Sequence, residues 1–533
     1  MHVPGNRRRR PAVRWPDGEV VFEGLSFVVG PGRTGLIGAN GSGKSTLLRL
    51  LAGELAPTGG SVRVAGSLGH LPQDLTLDAG LPVDEVLGIA RARRALQAIE
   101  RGQATPDRFA AVGDDWDVEE RARATLDRLG LAHLDLDRRV GEVSGGEAVL
   151  LGLAARFLRR PDVLLLDEPT NNLDLDARRR LYDAVTAWPG VMVIVSHDRA
   201  LLELVDQVAD LRDGTLGWYG GNLTAYEQAV AVEQEAARRL VRTAASDVQR
   251  QQRELRDARI KLDRRRRYGQ KMWDQKREPK IIMGARKRQA EVAAGKHRGM
   301  QIEKLEQARE RLAEATDAVW DDDEIRVDLP ATAVPAGRTV LTVRQARLRG
   351  GARADLELRG PERLALLGAN GAGKTTLLET VVGALDPLEG TVTAAVPVRY
   401  LPQRLDLLDD AASVAANAAR FAPGASDNAV RARLARFLFR GPRADQPVGT
   451  LSGGERFRAT LAALLLAEPA PQLLLLDEPT NSLDLASTRQ LAQALAAYRG
   501  ALLVASHDLP FLATIGITRW LRLEGRLTPI DPP

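Results

Sequence analysis

The sequence predicts an α/β fold in which two copies of one domain are joined by a long helical hairpin. Two observations predict this fold: a set of short motifs occurs twice in the same order, and the stretch Thr224 to Arg267 between the copies contains neither Gly nor Pro. A third observation concerns charge. Positions 238–300 hold 21 Lys and Arg against 7 Asp and Glu, although the chain of 533 residues has a net charge of only +5. This distribution predicts that the basic segment binds a polyanion and that the rest of the chain is mildly acidic.

The composition excludes several classes of protein. There is no cysteine, which rules out disulfide scaffolds, thiolate zinc sites and cysteine nucleophiles. The six histidines are too scattered for a metal cluster. No apolar run approaches the ~18 residues that a membrane span needs, and the basic start Met1 to Arg10 leads to Pro11 rather than to the apolar core of a signal peptide. We therefore expect a soluble, cytoplasmic, multidomain protein.

The repeat defines the domains. A glycine-rich loop, Gly38 to Ser45, recurs as Gly368 to Thr375. The other repeated motifs are Leu71-Pro72-Gln73 with Leu401-Pro402-Gln403, Ser144-Gly145-Gly146-Glu147 with Ser452-Gly453-Gly454-Glu455, Asp167-Glu168 with Asp477-Glu478, and His197-Asp198 with His507-Asp508. The two glutamines lie 330 residues apart and the two serines 308, so the first copy has 22 extra residues between these motifs. We predict a first domain over 1–220, a linker over 221–328 and a second domain over 329–533, with an insertion at about 84–131 of the first domain.

The sequence of the linker predicts a helix, a loop and a second helix. Glycines and Pro279 interrupt the thirty residues after Arg267, and Met300 to Val319 resumes a helical pattern. Its apolar residues follow the spacing of a coiled-coil seam and are Ile302, Leu305, Leu312 and Val319. The tip, over 264–298, combines cations with aromatic rings, which is typical of RNA binding because cations neutralise phosphates and rings stack on bases. The candidate RNA-binding residues are Arg264, Arg265, Arg266, Arg267, Tyr268, Lys271, Trp273, Lys276, Arg277, Lys280, Arg286, Lys287 and Arg288. The alternative is a spacer with a solvated charged face.

The repeated glycine-rich loop has the pattern of a phosphate-binding loop. An apolar strand precedes each copy, at 34–37 and 364–367, and a helix follows each at 46–51 and 376–382. Lys44 and Lys374 are expected to hold the β- and γ-phosphates, and Ser45 and Thr375 to bind Mg²⁺. The residues expected to cradle the phosphates are Gly38, Asn40, Gly41, Gly43 and Thr46 in the first loop, and Gly368, Asn370, Gly371, Gly373 and Thr376 in the second.

Two further motifs follow continuous apolar runs, which are typical of buried parallel strands. The runs at 163–166 and 473–476 each end in Asp and Glu. We predict that Asp167 and Asp477 bind Mg²⁺ and that Glu168 and Glu478 polarise the attacking water. The runs at 191–195 and 501–505 precede the repeated histidines, which are expected to sense the γ-phosphate. The predicted sensors are His197 and His507.

The order of these motifs resembles that of ABC-type ATPases, and the match covers about 400 residues. The resemblance implies that two cassettes close head to tail within one chain, with ATP between the phosphate loop of one and the Ser-Gly-Gly motif of the other. It implies one site built from Lys44, Ser45, Gln73, Asp167, Glu168 and His197 with Ser452, Gly453 and Gly454. The other site would combine Lys374, Thr375, Gln403, Asp477, Glu478 and His507 with Ser144, Gly145 and Gly146. In each site the glutamine is implied as both a Mg²⁺ ligand and a catalytic residue.

A few positions depart from the family pattern. Trp15 stands where an aromatic residue stacks on adenine in these ATPases, whereas the second copy has Arg347 or Arg349 there. Val143 replaces the Leu that usually precedes Ser-Gly-Gly. Asn172 and Ser482 stand where His is common in the ABC-F class.

The basic linker and the Glu-Pro-Thr-Asn-x-Leu-Asp motifs resemble the ABC-F class of tandem ATPases. This resemblance implies a monomer that uses ATP and Mg²⁺ and, in its closed form, binds the ribosome, with the linker near the P-site tRNA, the 23S rRNA and the peptidyl-transferase centre. It implies antibiotic resistance by ribosome protection, or tuning of translation. It also implies that the insertion at about 84–131 is a short version of the helical arm found in this class. The alternatives are a fused ATP-binding subunit of a separate membrane permease and a nucleic-acid maintenance ATPase.

Overall fold

The computed structural model describes residues 12–14, 20–75, 77–274, 280–320, 325, 327–481 and 483–533. The elements of the first cassette are, in chain order, β1 (Ala12–Arg14), β2 (Val20–Glu23), β3 (Arg33–Ile37), α1 (Lys44–Leu51), β4 (Leu68–Leu71), α2 (Val83–Leu87), α3 (Ala90–Glu100), α4 (Pro106–Val112), α5 (Val118–Arg128), α6 (Gly145–Arg159), β5 (Val163–Asp167), α7 (Leu175–Thr186), β6 (Val191–Val195), α8 (Arg199–Leu202), β7 (Gln207–Arg212) and β8 (Thr215–Gly220).

The first cassette is built on a six-stranded sheet with the order β4-β5-β6-β3-β7-β8. All neighbouring strands are parallel except β7 and β8, which form an antiparallel hairpin. The central strands β5 and β6 are almost wholly buried apolar runs, as parallel strands covered on both faces must be. Because β3, β5 and β6 run in one direction side by side, the loops that follow them meet at one edge of the sheet.

The extra residues of the first cassette form helices. α3 and α4 pack against each other, and the rings of Phe109 and Trp116 lie 5.9 Å apart, centroid to centroid, beside them. Arg93 of α3 is buried and joins this subdomain to Asp84 of α2 and to Asp137. The buried ion-pair cluster fixes the position of the inserted helices.

The linker unit consists of α9 (Leu223–Asp274) and α10 (Lys280–Asp317). At 52 residues, α9 is about 78 Å long. Val248 of α9 packs on Leu305 and Ala308 of α10, with Leu312 beside them, so part of the predicted seam is formed. The prediction of an irregular loop after Arg267 is wrong, because both helices continue into that region.

Three of the glycines predicted to interrupt the linker lie inside α10. Gly284, Gly295 and Gly299 are helical, and nothing lies within 4 Å of a Cβ at either of the last two. A glycine costs a helix only about 1 kcal/mol relative to Ala. The surrounding Ala, Lys, Arg, Gln and Glu residues are strong helix formers, so the helix continues through the glycines.

The elements of the second cassette are, in chain order, β9 (Thr339–Arg347), β10 (Arg353–Arg359), β11 (Arg363–Leu367), α11 (Lys374–Val382), β12 (Glu389–Ala394), β13 (Val398–Leu401), α12 (Val414–Phe421), α13 (Asp427–Ala435), α14 (Gly453–Leu465), β14 (Leu473–Asp477), α15 (Leu485–Ala497), β15 (Ala501–Ala505), α16 (Leu509–Thr514), β16 (Arg519–Glu524) and β17 (Arg526–Ile530).

The second sheet repeats the first and extends it. Strands β13-β14-β15-β11-β16-β17 have the order of the first sheet, and β10, β9 and β12 continue beyond β17 to give nine strands. Leu473 to Leu476 and Leu502 to Val504 in its centre have no exposed surface. No helix in the described part of the chain is long and apolar enough to cross a membrane.

Candidate nucleotide-binding sites

Both phosphate loops begin at a glycine that the backbone requires. Gly38 has φ +152°, and a Cβ there would lie 2.4 Å from the carbonyl oxygen of Leu211. Gly368 has φ +151°, and a Cβ there would lie 2.5 Å from the carbonyl oxygen of Leu523. Nothing lies within 4 Å of a Cβ at Gly41, in the middle of the first loop. The loop is therefore anchored at its start and open where a phosphate would bind.

Each loop ends at a helix N-terminus. Gly43 and Gly373 adopt left-handed backbone conformations, with φ of 96° and 99°, and α1 and α11 begin at the following lysines. Backbone N–H groups at a helix start have no partner within the helix, and they carry the positive end of the helix dipole. This arrangement favours a phosphate at the loop.

The phosphate-loop lysines are buried and turned onto the loop backbone. Lys44 Nζ donates to the carbonyl oxygens of Gly38 at 2.9 Å and Ala39 at 3.0 Å. Lys374 Nζ donates to the Gly368 carbonyl at 2.7 Å and to His507 Nε2 at 2.9 Å. Burial lowers the pKa of both lysines, and the nearby carboxylates oppose this effect.

Strands β5 and β14 each place an aspartate beside the phosphate loop. Asp167 is hydrogen-bonded to the hydroxyl of Ser45, and Asp477 to that of Thr375. Burial raises the pKa of both aspartates, while these hydrogen bonds lower it. Tyr400 Oη also donates to Asp477 Oδ2 at 3.2 Å. Carboxylate and hydroxyl oxygens are the ligands that Mg²⁺ prefers.

The next residue in each cassette is a glutamate in a strained backbone conformation. Glu168 has φ +47° and Glu478 has φ +43°, in the left-handed region. Their backbone amides donate at 2.8 Å to the carbonyls of Val195 and Ala505, which hold the turns against the neighbouring strands. Such a residue costs about 1–3 kcal/mol, and residues of this kind cluster at functional sites.

The glutamates face the repeated histidines. His197 Nε2 lies 3.3 Å from Glu168 Oε1, and His507 Nε2 lies 3.3 Å from Glu478 Oε1. Burial raises the pKa of Glu168 to about 8 and that of Glu478 to about 7. Burial lowers the pKa of both histidines to about 3, so the imidazoles are neutral near pH 7. A carboxylate with a pKa near neutrality is suited to accept a proton from water.

The Ser-Gly-Gly-Glu motifs start α6 and α14 with capping boxes. Ser144 Oγ accepts from the Glu147 amide at 3.3 Å, and Glu147 Oε2 accepts from the Ser144 amide at 2.7 Å. Ser452 and Glu455 make the same pair of bonds, at 3.4 and 3.0 Å. The caps fix each helix start as a second region of positive potential.

Each capped helix start lies against the phosphate loop of the opposite cassette. A Cβ at Gly453 would lie 3.9 Å from Asn40 Nδ2. A Cβ at Gly146 would lie 3.9 Å from Asn370 Nδ2 and 3.0 Å from the carbonyl oxygen of Asn172. The first phosphate loop is thus adjacent to the second motif, and the second loop to the first motif.

Two hydrogen bonds join the cassettes at these sites. Asn370 Nδ2 donates to the Asn172 carbonyl at 2.6 Å, and the Asn40 amide donates to Asp484 Oδ2 at 3.0 Å. A cavity of about 310 Å³ lies beside the first of these bonds. Its lining residues come from both cassettes and are Asn172, Leu173, Asn370, Gly371, Gly373, Lys374, Thr375, Thr376, Gln403, Asp477, Glu478, Asn481 and His507.

The residues present fit a magnesium nucleotide. Asp167 Oδ1 is buried and has no hydrogen-bond partner in the described structure, and the same is true of Nδ1 in His197 and His507. These atoms and the open glycine loops are what a bound metal and phosphates would satisfy. Lys44 and Lys374 would hold the phosphates, and the paired aspartate and hydroxyl oxygens would hold Mg²⁺, which would supply charge neutralisation.

The remaining predicted residues comprise some that lie outside the described part of the chain, an arginine that pairs elsewhere, and the two glutamines. Trp15, Lys276 and Arg277 lie outside the described residues, as do the side chains of Arg265, Arg266, Trp273, Lys280, Arg286, Lys287 and Arg288. Arg347 is engaged in an ion pair with Glu389, at 3.0 Å between Nη1 and Oε1. Gln73 and Gln403 are exposed at the ends of β4 and β13, and Gln403 lines the cavity.

Sequence reasoning missed several residues that the structure places at the sites. Asp484, Leu173 and Asn481 follow the Asp-Glu strand end in one cassette or the other, and Tyr400 precedes the glutamine motif. The repeat offered a signal for the first three, because Asp484, Leu173 and Asn481 have identical counterparts at the equivalent positions of the other half. Tyr400 had no such signal, since the first half has His70 there.

Comparison with known proteins agrees with this geometry. A family model described as ABC transporter matches residues 22–171 and 352–481. The tylosin resistance ATP-binding protein TlrC of Streptomyces fradiae is 34% identical over 534 residues, covering 92% of this chain and 92% of TlrC. The ABC transporter F family member 2 of Arabidopsis thaliana is 29% identical over 535 residues, covering 94% of this chain and 74% of that protein.

Solved structures show the same fold. The archaeal ribosome recycling factor aABCE1, in a complex with the ribosomal stalk protein aP1, matches with a TM-score of 0.56 at 19% identity. The match covers 97% of this chain and 89% of that one. The relatives, the duplicated motifs and the paired sites lead to one conclusion: the chain belongs to the ABC transporter family, as an ATP hydrolase of the ABC-F type with two cassettes in one polypeptide.

Proposed function

We propose that this protein is an ATP-driven ribosome factor that protects the ribosome from an antibiotic. In the proposal, the ATP-bound closed form binds the ribosome and its linker reaches toward the P-site tRNA and the peptidyl-transferase centre. Hydrolysis then opens the cassettes and releases the protein. ATP closure is a two-state change, and a ligand that prefers one state shifts the population toward it.

The linker chemistry carries the proposal. Tyr268 is 68% exposed, and Arg264, Arg267 and Lys271 are exposed on the same stretch of α9. Cations beside an exposed ring suit RNA, because guanidinium and ammonium groups neutralise phosphates and the ring offers a face for a base. The similarity to a protein named for tylosin resistance favours resistance over a general role in translation.

The closed-state part of the proposal is tested with a hydrolysis-deficient protein. We expect Glu168→Gln combined with Glu478→Gln to bind ATP and to co-sediment with 70S ribosomes only when ATP is present. Absence of binding at low salt would overturn the ribosomal function, and association with a membrane permease would then be the function to test.

The linker part of the proposal needs a matched charge control. Replacing Arg264 to Arg267 by Gln removes four charges near the end of α9. The control replaces four exposed arginines farther back on the same helix, Arg238, Arg253, Arg256 and Arg259, by Gln. We expect the first variant to lose ribosome binding and the control to keep it. Equal loss in both variants would indicate a general charge effect instead of a specific contact.

The resistance part is tested in cells. We expect expression of the protein to raise the tylosin concentration that stops growth of a sensitive bacterium. The Arg264 to Arg267 variant should lose this effect. Growth with an antibiotic that does not act on the ribosome is the control. A ribosome-bound protein that gives no protection would favour the tuning of translation.

A further inference from the structure

A buried arginine touches elements of both nucleotide sites. Arg178 lies on α7 and is 8% exposed. Its Nη1 is 3.3 Å from Asp198 Oδ2, and Tyr182 Oη donates to that same oxygen at 2.7 Å. Asp198 follows His197, the histidine that faces Glu168 in the first site. Two side chains of α7 therefore hold the loop that carries this histidine.

The same guanidinium also holds the wall of the second site. Arg178 Nε donates to the Leu173 carbonyl oxygen at 3.2 Å. Leu173 and its neighbour Asn172 line the cavity that contains Lys374, Glu478 and His507. The carbonyl of Asn172 accepts a hydrogen bond from Asn370 of the second phosphate loop. One planar group thus joins the histidine loop of the first site to a segment in contact with the second.

The second cassette has different side chains at the positions equivalent to Arg178 and Tyr182. Thr488 occupies the position equivalent to Arg178, and Ala492 that equivalent to Tyr182, although Asp508 is kept in place of Asp198. A threonine carries no guanidinium and an alanine no hydroxyl, so neither position can make the contacts described above. The two composite sites are built from the same motifs but differ at these two positions.

We propose that Arg178 is a positioning residue that couples the His197–Asp198 loop of the first ATP site to the Asn172–Leu173 segment at the second. Movement of the His197–Asp198 loop displaces Arg178, which displaces the Asn172–Leu173 segment at the second phosphate loop. Tyr182 supports the link by holding Asp198 in register with the guanidinium.

A double-mutant cycle on ATP hydrolysis tests this link without ribosomes. In the Glu168→Gln background turnover occurs only at the second site, while the first site still binds ATP. We expect His197→Ala to lower that turnover about tenfold when Arg178 is present, and less than about twofold in Arg178→Thr. The Glu478→Gln background reports turnover at the first site in the same way.

The cycle separates coupling from a purely structural role. A structural arginine would lower turnover by the same factor whether His197 is present or not, so additive effects would overturn the proposal. If Arg178→Thr does not fold, Tyr182→Phe removes one hydroxyl and should reduce the coupling by a smaller factor. An unchanged coupling in that folded variant would count against the proposal.

Discussion

The backbone amide of Asn40 donates a 3.0 Å hydrogen bond to Oδ2 of Asp484, 444 residues later in the chain. The other oxygen of this carboxylate accepts from the Ser487 amide at 2.8 Å and caps α15. Asp484 therefore closes the first phosphate loop and starts a helix of the opposite cassette at the same time. Asp174, the equivalent residue, caps α7 through Ala177.

This relationship allows a controlled test of closure. We expect Asp484→Ala to lower turnover at the first site about tenfold, because a hydrogen bond between the cassettes is lost. Asp174→Ala is the control, because it removes a helix cap of the same kind, worth about 1 kcal/mol. It leaves the hydrogen bond between the cassettes at the second site intact, because Asn370 donates there to the backbone carbonyl of Asn172. Turnover is measured in the Glu478→Gln background. Equal losses in both variants would show that only the caps matter.

The Tyr400 hydroxyl, which donates to Asp477, should tune metal binding at the second site. Partners that orient a ligand typically contribute 10–100-fold to metal affinity, so Tyr400→Phe should raise the Mg²⁺ concentration for half-maximal turnover about tenfold. The readout is turnover against Mg²⁺ in the Glu168→Gln background. Tyr498→Phe removes the hydroxyl of a buried tyrosine that donates to the Ala501 carbonyl, and it should leave the Mg²⁺ requirement unchanged.

Stability of the first cassette should depend on the buried Arg93 in its inserted helices. Arg93 Nη1 lies 3.1 Å from Asp84 Oδ2, and both side chains are 7% exposed. Arg93→Met leaves a buried carboxylate without its partner, which should lower the free energy of unfolding by about 3 kcal/mol. Arg94→Met breaks a largely exposed pair with Glu85 and should cost less than about 1 kcal/mol. Urea unfolding of the full chain distinguishes these outcomes.

The same arginine makes a pH-dependent contribution through Asp137. Its hydrogen bond lowers the pKa of Asp137, and Arg93 Nη2 lies 3.0 Å from Asp137 Oδ2. A carboxylate with a lowered pKa in the folded state stabilises the protein above its unfolded pKa of about 3.9, and this contribution is lost as the pH falls through the folded value. The difference in unfolding free energy between wild type and Asp137→Asn should therefore be constant from pH 7 to 5 and shrink toward pH 3. A difference that grows on acidification would contradict this assignment.

The glycines inside α10 should be replaceable. Nothing lies within 4 Å of a Cβ at Gly295 or Gly299, and neither has a left-handed backbone. Gly295→Ala should stabilise the helix by about 0.5–1 kcal/mol and slow amide hydrogen exchange around it about threefold. Gly38→Ala is the contrasting change. It should destabilise the first cassette, because the added Cβ would clash with the Leu211 carbonyl oxygen. Faster exchange in Gly295→Ala would show that α10 needs glycine there.

Local sequence patterns predicted the elements that bear the motifs. The strands Val191–Val195 and Ala501–Ala505 have the bounds that their apolar runs indicated, because a strand buried on both faces must be apolar throughout. Asp484 was not predicted as a site residue, since its partner Asn40 lies in the opposite cassette. Arg178 was not predicted because its partners Asp198 and Leu173 lie on other elements and are brought close only by the tertiary fold. The length of α10 was missed for a different reason: isolated glycines were given more weight than the helix formers around them.

The hydrogen bonds Asn40–Asp484 and Asn370–Asn172 join two halves of a single polypeptide. Formation of these contacts is therefore a first-order process, and its equilibrium does not depend on how dilute the protein is. Two separate cassettes would have to meet by diffusion, whereas here the linker fixes the effective concentration of each half around the other. The separation between the two ends of the linker consequently enters the equilibrium constant for closure, so a change in that separation alters nucleotide affinity even when every residue at the two sites is kept.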